Sequence, residues 1–115
     1  MIIRSDDMKR TLRENIRGGT GQAVLTELIA HVDLPEACRI AATLELAPGC
    51  SIGRHEHVGE AEIYYCISGT GLLDDNGAVR PFAAGDVSVT YSGEYHGVTN
   101  TGEGKLELFA FVIKN

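Results

Sequence analysis

Apolar positions along this chain recur every second residue rather than every third or fourth. In "CRIAATLEL" (38–46), Ile40, Ala42, Leu44 and Leu46 fall on one face, which is the period of a strand with one face buried. "EIYYCIS" (62–68), "VSVTY" (87–91) and "LELFAFVI" (106–113) predict further strands, and "QAVLTELI" (22–29) has strand-like content. Between these runs lie breaks such as "RGGTG" (17–21), "APGCSIG" (47–53), "GTG" (69–71) and "TGEGK" (101–105). Asn76-Gly77 is the dipeptide of a two-residue type I′ hairpin. Pro35 makes "HVDLPEA" (31–37) a connector, because a central strand needs the N–H that proline lacks. Residues 1–21 are mixed: "MIIRS" reads as a short strand and "MKRTLRENI" as a helical turn or a strand arm. No long helical period, internal repeat or low-complexity tract occurs. Roughly eight to ten short strands with glycine-rich turns predict an all-β sandwich or barrel.

Composition fits that picture. The chain has 115 residues, enough for one core, and we expect a single domain over 1–115 with 1–21 as an N-terminal arm or edge strands. Gly is high at 14 and Pro low at 3. The net charge of −6 argues against general nucleic-acid or anionic-membrane binding, since no basic patch is there to neutralise phosphates. Arg4, Lys9, Arg10, Arg13 and Arg17 cluster early, but Asp6, Asp7 and Glu14 interleave with them, which reads as a solvated face. The three cysteines, Cys38, Cys50 and Cys66, are odd in number and form no CxxC pair, so a reduced, cytoplasmic protein is expected. "MIIRSDDMKR" has no apolar signal core.

The chemistry concentrates in "HEHVGEAEIYYCISG" (55–69). Two residues apart on a strand, His55 and His57 point to the same side with Cα atoms about 7 Å apart, so both imidazoles can converge on one ion. Glu62 would lie about 16 Å further along a straight strand. Gly59 permits a reversal, after which Glu62 can open a neighbouring antiparallel strand opposite the histidines. On that strand Glu62, Tyr64 and Cys66 share one face, and Ile63, Tyr65 and Ile67 the other. His96, after the turn "YSGEY", is a further ligand candidate.

The spacing now resembles a known family. Gly49, five residues, His55-x-His57, four residues, Glu62, six residues, Gly69 matches the first motif of the cupin superfamily (49–69). Gly85, five residues, Tyr91-Ser92-Gly93, two residues, His96, three residues, Asn100 matches the second (85–100). One departure is Tyr91, where the family pattern usually has Pro, a residue that would stiffen the turn. The resemblance implies a jelly-roll, or double-stranded β-helix, barrel of two antiparallel sheets. It implies that His55, His57, Glu62 and His96 are metal ligands for one divalent ion (Mn, Fe, Ni, Co, Cu or Zn), and a homodimer. "LELFAFVI", apolar on both faces, also asks for cover on both sides. Three imidazoles and a carboxylate make a mixed N/O site suited to borderline divalent ions, and four ligands on a six-coordinate ion leave two positions open.

Blander readings attach to single residues. A lone HxH is more often a pair of surface histidines, and only Glu62, His96 and the glycine frame lift it. Tyr64 is a candidate substrate contact, with interior packing as the plainer role. Cys66 reads as a small buried hydrophobe, Asn100 as a hydrogen-bonding turn residue, His31 as a surface residue, and Arg54 as facing away from the ion. Arg39 has no decided facing. Two function classes follow: a small metalloenzyme (decarboxylase, dioxygenase or isomerase) acting on an anionic or oxygen-rich small molecule, or a non-catalytic binding or sensing module. No proton donor is evident; Glu60 and Glu94 lie near the site.

Overall fold

The computed structural model describes all residues, Met1–Asn115. Ten strands follow one another: β1 Lys9–Glu14, β2 Gln22–Glu27, β3 Cys38–Leu46, β4 Ser51–Glu56, β5 Glu60–Ser68, β6 Thr70–Asp75, β7 Ala78–Ala83, β8 Val87–Thr90, β9 Tyr95–Asn100 and β10 Leu106–Lys114. They form a six-stranded sheet, β1-β2-β3-β10-β5-β8, and a four-stranded sheet, β4-β9-β6-β7, with every pairing antiparallel. This is the expected all-β barrel of two antiparallel sheets. Short 3-10 turns occupy Ser5–Asp7, Ile16–Gly18 and His31–Asp33. No helix is long and apolar enough to cross a membrane.

Period-two patterning explains the core. Leu44, Leu46, Leu106, Leu108, Cys66 and Tyr64 point inward from the large sheet and meet Ile52, Leu73, Phe82 and Val98 from the small one. Ile40, which shares their parity, remains 43% exposed at the open end of β3. Asn76 and Gly77 both have positive φ (53° and 94°), as a type I′ turn requires, and join β6 to β7 in register from Asp75↔Ala78 onward. Pro81 sits in β7, an edge strand, where its missing N–H breaks no ladder. Asn100 is buried and fully used: its Nδ2 donates to Leu46 O and Gly104 O, both at 2.8 Å, and its Oδ1 accepts from Gly102 N–H at 2.9 Å.

The outward side of the large sheet is apolar too. Phe109 pairs with Tyr65 and Phe111 with Ile63 across β10–β5, and these continue to Val87 and Val89 on β8. Tyr65 and Ile67 are 42% and 41% exposed.

One local expectation is corrected. β4 and β5 do not form a hairpin: β4 pairs only with β9, and β5 with β10 and β8. Gly59, at φ 72°, turns the chain from one sheet to the other, so Glu62 faces the histidines across the barrel instead of beside them.

Candidate metal centre

The site is built by register. His55 on β4 lies directly opposite His96 on β9. Ile52 also points inward, yet it is three residues from His55, an odd step that would put the two on opposite faces of a regular strand. The register slips between Ile52 and His55, so that Gly53 and Arg54 oppose Gly97 alone. This β-bulge re-aims the strand: Ile52, His55 and His57 all face in, while Arg54 turns out to Asp74 (2.7 Å) and over the Tyr95 ring. Gly97 serves the bulge, because a Cβ there would press to 3.1 Å on the Arg54 nitrogen.

His57 lies in the loop after β4, and the two motifs tie that loop down. His57 N–H donates to Glu94 O (3.0 Å), Gly93 N–H to His57 O (2.7 Å), and Gly59 N–H to Ser92 Oγ (2.9 Å). Tyr91, in place of the family's proline, donates its own N–H to Glu94 Oε1 at 2.9 Å. A proline has no such donor, so this turn is braced by a hydrogen bond instead of a fixed φ.

Four donor atoms converge. His57 Nε2 and His96 Nε2 are 3.0 Å apart, His96 Nε2 and His55 Nε2 3.1 Å. Glu62 Oε1 is 3.0 Å from His57 Nε2, 2.9 Å from His96 Nε2 and 3.9 Å from His55 Nε2. The outer nitrogens are all engaged: His55 Nδ1 donates to Gly53 O (2.8 Å), His57 Nδ1 to Glu60 Oε2 (2.9 Å), and His96 Nδ1 pairs with the Thr90 hydroxyl (2.8 Å). A proton on Nδ1 leaves Nε2 as a bare acceptor in a neutral imidazole. Acceptors aimed at one another at 3 Å repel unless a positive charge sits among them. That separation is also what two ligands at right angles give on bonds of about 2.1 Å. The four residues could therefore hold a metal ion, and the donor set fits one.

Electrostatics agree. Burial would push the Glu62 carboxyl up, but the three surrounding imidazoles overturn this and hold it well below the usual carboxylate range. Burial lowers His96 and so favours its neutral form. Hydrogen bonding to Glu62 raises His57 despite its burial. Tyr64 stacks on His96 at 4.7 Å, and burial, reinforced by Glu62, pushes its phenol well above its ordinary value. It thus stays an O–H donor.

His55, His57, Glu62 and Tyr64 line a cavity of about 150 Å³, with Glu60, Arg13, Arg17 and apolar side chains including Leu25, Leu44 and Ile52 around it. His96 lies behind them, fully buried. Arg39 is not a free anion contact, since its Nε is 3.2 Å from Glu60 Oε1. Cys66 is buried and Cys50 half-buried, and all three cysteines are free thiols. Sequence reasoning missed Arg13 and Arg17 as cavity residues; the acidic residues alternating with them hid the signal.

Fold and site together define a small antiparallel β-barrel protein with one inward-facing cluster suited to a transition-metal ion. The cupin domain model matches residues 42–113, and the chain belongs to the cupin family. It is 41% identical over 113 residues to the oxalate-binding protein of Thermotoga maritima, spanning 98% of this chain and 93% of that protein. A crystal structure from Thermotoga maritima, described as a predicted oxalate decarboxylase, superposes with a TM-score of 0.95 at 40% identity over the whole of both chains. KdgF from Halomonas sp. shares the fold at TM-score 0.78 and 16% identity, covering 100% of this chain and 96% of that one.

Proposed function

We propose that this cupin uses His55, His57, Glu62 and His96 to hold one divalent transition-metal ion, at which it captures a small carboxylate anion. The observation that carries this reading is the convergence of three imidazole nitrogens and a carboxylate beside the cavity. The cavity is small, about 150 Å³, which favours a ligand of few heavy atoms. The oxalate bound by the Thermotoga relative, as its name has it, is a ligand of that size. A bound ion would act as a Lewis acid toward carboxylate oxygens, and Tyr64 lines the same cavity as a hydrogen-bond donor to the anion.

A second reading, turnover as a small metalloenzyme, is favoured by that buried phenol. Against it, Glu60 is already engaged by both His57 and Arg39 and is no free proton donor. The test is titration of nickel-loaded protein with oxalate, followed by product analysis. Saturable binding without product supports capture; C–C cleavage supports the enzyme. Both must vanish in His55→Ala. Oxalate binding that persists in the metal-free variant would sink the proposal.

We also read residues 1–115 as one functional cupin unit that pairs with a second copy through the outer apolar lane of the large sheet. The three free thiols support a reducing, cytoplasmic setting.

A further inference from the structure

Arg13 and Arg17 line the cavity that opens onto the metal-type cluster, and no carboxylate claims either of them. Three of the ten basic side chains are in ion pairs, Arg39 with Glu60, Arg54 with Asp74 and Lys105 with Glu45; of the unpaired ones, Arg13 and Arg17 are those that line the cavity. Arg13 and Arg17 enter no ion pair and no side-chain hydrogen bond, in a chain of net charge −6 with 16 acidic residues available.

Their placement is built in. Arg13 lies on β1 opposite the buried Ala23, and both arginine side chains are exposed where they border the cavity. Arg17 sits in the turn after β1 with a left-handed backbone (φ 54°), two residues from a second left-handed non-glycine, Asn15 (φ 49°). Non-glycine residues adopt that conformation only when the surroundings impose it. Here three backbone bonds impose it: Asn15 N–H to Gly21 O (2.9 Å), Gly18 N–H to Asn15 O (3.0 Å) and Gly19 N–H to Ile16 O (2.9 Å). The turn lies directly on β4, where Gly53 leaves room for the Arg17 carbonyl. Arg17 is thereby fixed beside the strand that carries His55. Its charge also reaches Tyr64, where it opposes the burial that pushes that phenol up.

We propose that Arg13 and Arg17 form the second, anion-holding half of the ligand site, so that the favoured ligand is a small dianion. One carboxylate faces the metal cluster and the other negative group meets the guanidiniums. The remaining wall, with Leu25, Leu44 and Ile52, offers no partners for a hydroxyl-rich ligand, which disfavours sugars. This inference rests on the anion-capture reading above.

The test uses two probes of nearly equal shape on nickel-loaded protein: oxalate, a dianion, and oxamate, in which one carboxylate is a neutral amide. Isothermal titration should show the wild type preferring oxalate. The double variant Arg13→Gln/Arg17→Gln should lose oxalate affinity by on the order of 10- to 100-fold, down to the oxamate level. Its oxamate affinity and nickel content should be unchanged, and the retained nickel shows that the barrel still folds. Equal oxalate affinity in variant and wild type would overturn the arginine inference and leave the metal-site reading standing. Failure of the loaded wild type to bind either probe would overturn both.

Discussion

His57 Nδ1 donates to Glu60 Oε2 across 2.9 Å, and the other Glu60 oxygen is held by Arg39 Nε at 3.2 Å. This chain fixes the His57 ring so that Nε2 presents its lone pair to the cluster. Removing such a partner of a ligating histidine typically weakens metal binding by about 10- to 100-fold. Glu60→Ala should do the same in a competition titration against a coloured chelator, with Glu60→Gln in between because its amide oxygen still accepts. An unchanged affinity in Glu60→Ala would show that the ring is held by packing alone.

Ion binding should also be visible as stability. A ligand at about 100 times its Kd that binds only the folded state contributes about 2.7 kcal/mol. In a chain of this size that raises Tm by on the order of 10 °C. Calorimetry with and without added nickel should show the rise in wild type and lose it in His96→Ala. His96 is fully buried, so this variant is also less stable at baseline, and the comparison must be the nickel-induced shift, not Tm itself.

The pH dependence of that affinity follows from His57. Its bond to the Glu62 carboxylate raises its pKa above the ordinary imidazole value, which is about 6.5. A proton therefore competes with the ion up to a higher pH than at a free histidine. Glu62, held well below the carboxylate range, remains charged across this interval, and burial keeps His96 neutral. Affinity should rise with pH through and beyond about 6.5 and fall on acidification, because binding must release the His57 proton. Nickel titrations from about pH 5.5 to about pH 8.5 check this; a flat profile would contradict it.

Gly53→Ala tests the seat of the N-terminal turn. The added Cβ would collide with the Arg17 carbonyl and stand 2.9 Å from Gly19 N. Overpacking of this kind costs about 1–3 kcal/mol. The turn should lift off β4, lowering Tm and oxalate affinity together. Retention of both would mean the turn slides at no cost.

The outer lane of the large sheet predicts association. Tyr65→Glu places a charge between Phe109 and Val87, its cross-strand partners. Light scattering after size exclusion should give a dimer for wild type and a monomer for the variant. A monomeric wild type would remove the proposed pairing.

Much of this molecule is written locally in its sequence. The "CRIAATLEL" strand is β3 to the residue, because alternation along a strand is a property of neighbours. Asn76-Gly77 makes its hairpin for the same reason. Gly49, Gly69, Gly85 and Gly93 all take positive φ, as turn glycines should. The four residues that converge were legible through motif spacing, and strand parity placed Arg54 on the outside. The facing of Glu62, Tyr64 and Cys66 followed from parity alone, and all three are buried on one side of β5 while Ile63, Tyr65 and Ile67 look out.

What the chain order could not supply was which sheet each strand joins. Gly59 permits a turn but does not say whether it closes a hairpin or crosses the barrel, because that choice is made by distant partners: β10 and β8 for β5, β9 for β4. The bulge at Gly53 and Arg54 is decided likewise, by the register β4 adopts against β9. Arg13 and Arg17 read as part of a solvated run, and only the pairing of β1 with β2 and the packing of the following turn on β4 bring them to the cavity. Strand identity and facing come from residues next to each other. The site comes from contacts between residues up to 41 positions apart, such as His55 and His96, and those exist only once the two sheets have closed.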